Sequence, residues 1–300
     1  MALHQDEVPV DEALVRSLLA GQCPQWADLP LSPAGSGTDN TMYRLGDELL
    51  IRLPRTAGEG VRKERQWLPR LAPYLPCAIP ELVYAGGPND AYPLDWSIYR
   101  WIDGEVAAPG SVADWPGFGA DLAGFVQALH RINLVGARRV GALKWYRGGL
   151  LQKQAGWVRE SLDGCRARLG SSLDIGALER AWLAALDLPG PSGPQVWLHG
   201  DLKPTNLLVR HGKLHAVIDF GSLSVGWPDA EHSTVWDLPP EARAAYRKTL
   251  GLDDAVWERA RAWAIAVAAS GIPYYWTSYP AFVAECRARL EAIVADIQAG

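Results

Sequence analysis

The 300-residue sequence has no basic run, no long apolar stretch and no pair of closely spaced cysteines, and each absence removes a class of function. With 29 Lys and Arg against 34 Asp and Glu the net charge is −5, so nothing supplies the phosphate-neutralising patch that nucleic-acid binding requires. The longest apolar run, Ala262–Ala269, is too short to span a bilayer, and the opening Met1–Pro9 carries neither a basic nor an apolar segment. We therefore expect a cytoplasmic protein, a monomer or weak homodimer, with no nucleic-acid or membrane partner. Cys23, Cys77, Cys165 and Cys286 lie 54, 88 and 121 residues apart without a C-x-x-C, and read as reduced, buried apolar residues rather than disulfides or zinc ligands.

What is present is ample material for a core, with 48% apolar residues and fourteen tryptophans, most of which must be buried. The chain is organised around Val196-Trp-Leu-His-Gly-Asp-Leu-Lys-Pro-Thr-Asn206 and, thirteen residues on, Ile218-Asp-Phe-Gly221. Between them Leu207–Val209 and Leu214–Ile218 flank Arg210-His-Gly-Lys213, a hairpin pattern with Gly212 at the turn. That hairpin sets Asn206 beside Asp219, and Asp201 overlooks the same spot. An amide oxygen and a carboxylate are hard ligands of the kind Mg²⁺ takes alongside water and phosphate oxygens. With a further carboxylate to orient an acceptor hydroxyl, the set suits phosphoryl transfer from a nucleotide.

The pattern H-G-D-x-x-x-x-N followed by D-F-G resembles the catalytic and metal-binding loops of protein kinases, with Gly200 in place of their Arg. In its H-G-D form it is similar to the aminoglycoside phosphotransferase family, kinases of antibiotics and other small molecules. The resemblance implies an α+β, two-lobed protein-kinase-like fold, with a small antiparallel sheet in residues 1–102 and a mostly helical lobe in residues 103–300. Only Ser222–Asp229 separates the D-F-G from the next turn, which leaves no room for a long regulatory loop and argues against a protein kinase. Intact Asp201, Asn206 and Asp219 argue against an inactive, nucleotide-binding scaffold.

Upstream, a helical stripe over Asp11–Gly21 precedes strand patterns at Leu29–Leu31, Thr41–Leu45 and Glu48–Leu53. The linker between the first two holds Gly35, Ser36 and Gly37, whose backbone N–H groups suit a triphosphate, although the third glycine of G-x-G-x-x-G is absent. Resemblance places Arg52 where kinases carry a phosphate-binding Lys, with Glu64 of the helix Glu59–Tyr74 as partner. Strands at Leu82–Ala85 and Trp96–Ile102 complete the sheet, and Tyr99 to Ile102 becomes the connection that borders the adenine, with Trp101 as a wall. Helices follow at Trp115–Arg131, Leu151–Arg168, Ile175–Leu186, Glu241–Leu250, Asp254–Ser270 and Ala281–Ala299.

The reaction implied is transfer of the γ-phosphoryl group of ATP or GTP to a hydroxyl of a small molecule, with Asp201 as base, Lys203 neutralising the moving group, and Asn206 and Asp219 on Mg²⁺. The acceptor implied is an aminoglycoside-type antibiotic. A macrolide or other natural-product alcohol stays open, because acids exceed bases only by ten to seven from Asp229 onward. Candidate acceptor-wall residues are Asp229, Glu231, Trp236 and the aromatic segment Ile272–Tyr279, with Tyr274, Tyr275 and Trp276 foremost. Where the family pattern runs Gly-Asp-Pro, two residues, then Asp-Leu-Ala, this chain has Trp227 and Glu231 at the two acidic positions, and the second acid of the pattern supports the catalytic loop.

Overall fold

The computed structural model describes residues 6–299, so the first five residues of the opening segment lie outside it. After helix α1 (Glu12–Gln22), N-capped by Asp11 through the Leu14 amide at 2.8 Å, five strands form one antiparallel sheet. They are β1 (Leu31–Ser36), β2 (Asn40–Leu45), β3 (Leu49–Pro54), β4 (Leu82–Gly86) and β5 (Trp96–Arg100), in the order β1-β2-β3-β5-β4. Helix α2 (Gly60–Leu71) follows β3 and buries Val61, Glu64, Trp67, Leu68 and Leu71.

The first strand departs from expectation. Leu31 begins it, and Gly35 and Ser36 belong to the strand rather than to a glycine-rich loop. Proline and glycine read as strand breakers, but β1 is an edge, where the missing N–H of Pro33 costs no ladder bond and an irregularity between Pro33 and Ser36 absorbs the positive φ of Gly35 (105°).

The remainder is helical: α3 (Trp115–Arg131), α4 (Ala155–Leu169), α5 (Ile175–Leu186), α6 (Pro240–Leu250), α7 (Asp254–Tyr275) and α8 (Pro280–Ala299). Two small sheets interrupt it. Strand β6 (Glu105–Val106) joins the hairpin of β8 (Leu207–Arg210) and β9 (Lys213–Val217), while β7 (Val196–Leu198) pairs with β10 (Ser224–Gly226). The hairpin forms at the expected place, with His211 and Gly212 both at positive φ in its turn. Helix α7 runs five residues past its expected end, through Pro273. Proline cannot bond the Ala269 carbonyl four residues back, and the Cys165 thiol donates to that carbonyl instead at 3.2 Å.

One apolar cluster fills the helical part and takes in Trp67, Leu68, Leu71 and Tyr99 from the sheet side; a second packs β2, β3 and β5 against α1. All four cysteines are free, with Cys77 only half-buried. Among the described residues no helix is long and apolar enough to cross a membrane.

Candidate active site

A cleft of about 470 Å³ opens between the five-stranded sheet and the helical part. Asp201, Lys203, Asn206 and Asp219 all line it, together with Gly37, Arg52, Tyr99, Trp101, Tyr279, Phe282 and Glu285. Their convergence follows from local structure. Strand β7 delivers His199-Gly-Asp201, and the hairpin returns the chain so that the Ile218 amide donates to the Asn206 carbonyl at 2.9 Å. Asp219 sits at φ 63°, ψ 68°, a left-handed conformation costly for any residue but Gly and least so for Asn and Asp.

The loop is fixed by buried partners. His199 Nδ1 accepts from the Asp201 amide at 3.2 Å, so the proton on its ring lies on Nε2, which donates to the Ile218 carbonyl at 3.1 Å. Glu231 is buried, with Oε2 accepting from the His199 amide at 2.6 Å and Oε1 from the Gly200 amide at 2.9 Å. Gly200 has φ 82°, and a Cβ there would lie 3.0 Å from the Ser222 carbonyl oxygen.

Asp201 is held from two sides. Arg147 Nη1 donates to its Oδ1 at 2.9 Å, and Asn206 Nδ2 donates to its carbonyl at 2.8 Å and its Oδ2 at 3.3 Å. Burial pushes the carboxyl's pKa up, but Arg147, then Lys203 and more distant Arg289, outweigh it and hold the group at about 2. The carboxylate therefore stays ionised.

Arg52 is buried and bonded on three sides. Nη1 donates to Glu64 Oε1 at 2.6 Å, Nη2 donates to Asp219 Oδ1, and Asn40, with its amide oxygen turned toward Arg52, accepts from Nε at 3.1 Å and Nη2 at 2.9 Å. One of five guanidinium hydrogens is left for a ligand. Burial opposes its charge, yet Asp219 and Glu64 hold its pKa well above the ordinary value. Arg52 thus ties β3, α2 and the D-F-G into one unit, which moves the expected emphasis from phosphate clamp to strut. Tyr99 is buried as well, and its hydroxyl donates to Glu64 Oε2. Trp101 lies at the rim, its ring 4.5 Å from the Arg44 guanidinium carbon and its Nε1 bonded to Asp103 at 2.8 Å.

Of the expected acceptor-wall residues, the aromatic segment Ile272–Tyr279 meets the cleft at its last residue, Tyr279. Asp229 is buried and bonded to Arg259 at 2.7 Å, and Trp236 is buried against Trp257. Glu231 serves the loop rather than the cleft. Tyr274 and Tyr275 continue α7, Trp276 caps it, and none of the three lines the cleft; Tyr274 is 65% exposed. Tyr279, at the end of the expected segment, and Phe282, three residues on, line it. Sequence reasoning missed Asn40 and Arg147. Asn40 carried a weak signal, a polar residue opening a strand next to Arg52, whereas Arg147 lies 54 residues from Asp201 with no local pattern.

Asn206 Oδ1 and the second Asp219 oxygen are the donors left at the cleft once these bonds are counted, and an amide oxygen with a carboxylate fits Mg²⁺ that keeps water and phosphate ligands. Among the described residues no cluster of three His, Cys, Asp or Glu forms a dedicated protein-only metal cage.

Residues 30–263 match the family model described as the phosphotransferase enzyme family. Among solved structures, the GDP complex of wild-type aminoglycoside 2'-phosphotransferase-IIIa is 18% identical with a TM-score of 0.71, covering 96% of this chain and 99% of that one. Macrolide 2'-phosphotransferase type I is 20% identical with a TM-score of 0.65, covering 94% and 98%. Macrolide 2'-phosphotransferase MphH from Brachybacterium faecium is 22% identical with a TM-score of 0.59, covering 95% and 98%. At these identities the likeness establishes the kinase-like fold. Comparison with curated proteins gave no match.

Proposed function

Because the chain belongs to the phosphotransferase enzyme family, we propose that it transfers the γ-phosphoryl group of ATP or GTP to a hydroxyl of a small molecule. The observation that carries this reading is the convergence of Asp201, Asn206 and Asp219 on one cleft, with Asn206 bonded to Asp201 and Arg52 bonded to Asp219. In this reading residues 1–102 hold the nucleotide and residues 103–300 bring the catalytic loop and the acceptor. Gly37, Trp101 and the connection after β5 border the nucleotide, while Arg52 keeps Asp219 and α2 in place.

Mg²⁺ held by Asn206 and Asp219 would neutralise charge on the transferring phosphates. Asp201, pinned by Arg147 and Asn206, orients the acceptor hydroxyl and receives its proton as the new O–P bond forms and the bond to the nucleoside diphosphate breaks. Little base strength is needed in a loose transition state, so a carboxylate held at about 2 is adequate for a role that is mainly positional. Lys203 lies on the same side of the cleft to offset charge on the moving group. An enzyme that consumes ATP or GTP works where those nucleotides are, which supports a cytoplasmic location.

The test is Asp201→Asn. Nucleotide affinity should be unchanged, since the residue faces the acceptor, while kcat in acceptor-dependent nucleotide consumption should fall by roughly 10²–10⁴. Turnover at the wild-type rate by the variant would sink the mechanism.

A further inference from the structure

The turn Tyr146–Gly148, in the segment between α3 and α4, reaches the base itself. Besides Asp201, Arg147 Nη1 donates to the Gly200 carbonyl, and Nε donates to Tyr146 Oη at 3.0 Å, leaving Nη2 without a partner among the described residues. Tyr146 is the hub of an aromatic ledge: Trp145 lies 5.1 Å away, Trp157 of α4 5.4 Å, and buried Trp263 closes it from behind at 6.3 Å. Trp145 and Trp157 stay 37% and 36% exposed, a large apolar area to leave in water one guanidinium away from a reactive carboxylate. On the cleft side, Tyr279 and Phe282 stack at 6.1 Å and 20°, with Lys203 Nζ 5.4 Å from the Phe282 ring.

Charge around Asp201 is already balanced. Arg147 answers Asp201 and Arg289 grips Asp237 through Nε at 2.6 Å, while deeper in, Arg259 holds Asp229 at 2.7 Å. The cleft itself is lined by Asp39, Asp201, Asp219 and Glu285 against Arg52, Arg100 and Lys203, and Asp201 and Asp219 are answered by Arg147 and Arg52. The remaining acids, Asp39 and Glu285, are equalled in number by Lys203 and Arg100, so a molecule with several ammonium groups would meet no surplus of acid. Specificity by charge needs the reverse, a surplus of carboxylates.

Resting on the phosphotransferase reading, we propose that the acceptor is an uncharged or singly charged alcohol with an apolar ring face, that Trp145 and Trp157 form its platform, and that Arg147 is the specificity-determining residue that turns polycations away. In this reading Arg147 Nη2, which has no partner among the described residues, would bond an oxygen of the acceptor while a neighbouring hydroxyl rests on Asp201.

The test uses the full chain with Mg²⁺–ATP and Mg²⁺–GTP and three probes: kanamycin as polycation, erythromycin as apolar monocation, and 4-nitrophenyl glucoside as neutral aryl glycoside. Acceptor-dependent nucleotide consumption should favour erythromycin or the glucoside over kanamycin by at least tenfold in kcat/KM. Trp157→Ala and Trp145→Ala should each raise the KM of the favoured probe about tenfold with nucleotide affinity unchanged. Arg147→Gln should narrow the preference against kanamycin, and Arg147→Lys should restore it. Preference for kanamycin, an unchanged acceptor KM in both tryptophan variants, or neither turnover nor fluorescence-detected binding of erythromycin and the glucoside overturns the proposal. Loss of nucleotide binding by the wild-type protein would instead overturn the phosphotransferase reading on which it rests.

Discussion

Arg52 and Asp219 share a hydrogen bond but stand in different surroundings, and their substitutions should separate accordingly. The Glu64 side chain is fully buried, so Arg52→Ala strands a carboxylate that keeps only the Tyr99 hydroxyl; breaking a buried pair from one side costs about 3–5 kcal/mol. Asp219 is 41% exposed, and its share of the ion pair is screened by solvent. Asp219→Asn, which keeps a residue tolerant of the left-handed backbone, should therefore leave the urea midpoint close to wild type while weakening Mg²⁺–nucleotide binding at least tenfold by calorimetric titration. Arg52→Ala should lower the midpoint sharply. If Arg52→Ala unfolds like wild type, the strut is not carrying α2; if Asp219→Asn binds Mg²⁺–nucleotide normally, the metal assignment is wrong.

Between elements, the stability of the catalytic loop depends on one side chain brought from the stretch after β10. Glu231 satisfies two buried amides, His199 and Gly200, that no strand or helix reaches. Glu231→Ala leaves both without an acceptor, at about 1–3 kcal/mol each, and frees the backbone that aims Asp201. Kinetics should show a lowered kcat with nucleotide KM nearly unchanged, and hydrogen exchange should show those two amides losing protection; protection at the wild-type level would mean that water replaces the carboxylate. The elements themselves were legible where pattern is local. The apolar stripe gives α3 and α5 their observed limits, with Asp174 capping α5 through the Ala177 amide, and the β8–β9 hairpin follows from its turn. Legibility failed where a distant partner overrides a local rule: Pro33 survives in β1 because that strand is an edge, and α7 passes Pro273 because Cys165, 104 residues away, takes the orphaned carbonyl. The site divided the same way. Asp201, Asn206 and Asp219 announce themselves by spacing, whereas Arg147 and Asn40 reach the cleft only through tertiary contacts, and Asp229 and Trp236 looked like wall residues until Arg259 and Trp257 were seen to bury them.

At the scale of the whole molecule, the two regions share a core through Trp67, which packs 4.8 Å from Trp197, and through the bond of Lys63 to the Leu223 carbonyl at 3.1 Å, so unfolding should register in one transition. That transition should depend on pH through His232. Burial, with a smaller contribution from His130, pushes its pKa from the ordinary 6.5 down to about 3, and its Nδ1 lies 2.7 Å from the Tyr246 hydroxyl. Between pH 6.5 and about 3 the unfolded chain binds a proton that the folded chain refuses, so stability is complete above 6.5 and is lost as pH falls through that window. From pH 7 to pH 5 the loss from this group should reach about 2 kcal/mol. Two carboxyls have displaced titrations of opposite sign. Asp201 contributes stability above the ordinary carboxylate value that disappears toward about pH 2, and Asp229, raised by burial against the pull of Arg259, acts with the opposite sign from that ordinary value upward. Urea denaturation of the wild type and a His232 variant at pH 7 and pH 5 isolates the histidine, because Asp229 contributes equally to both. His232→Gln keeps an acceptor for Tyr246 but has no titration, and its stability should change far less between the two pH values. An equal loss in both proteins would assign the acid sensitivity to other groups and return His232 to a packing role, because a buried imidazole that refuses a proton cannot leave the unfolding curve indifferent to pH.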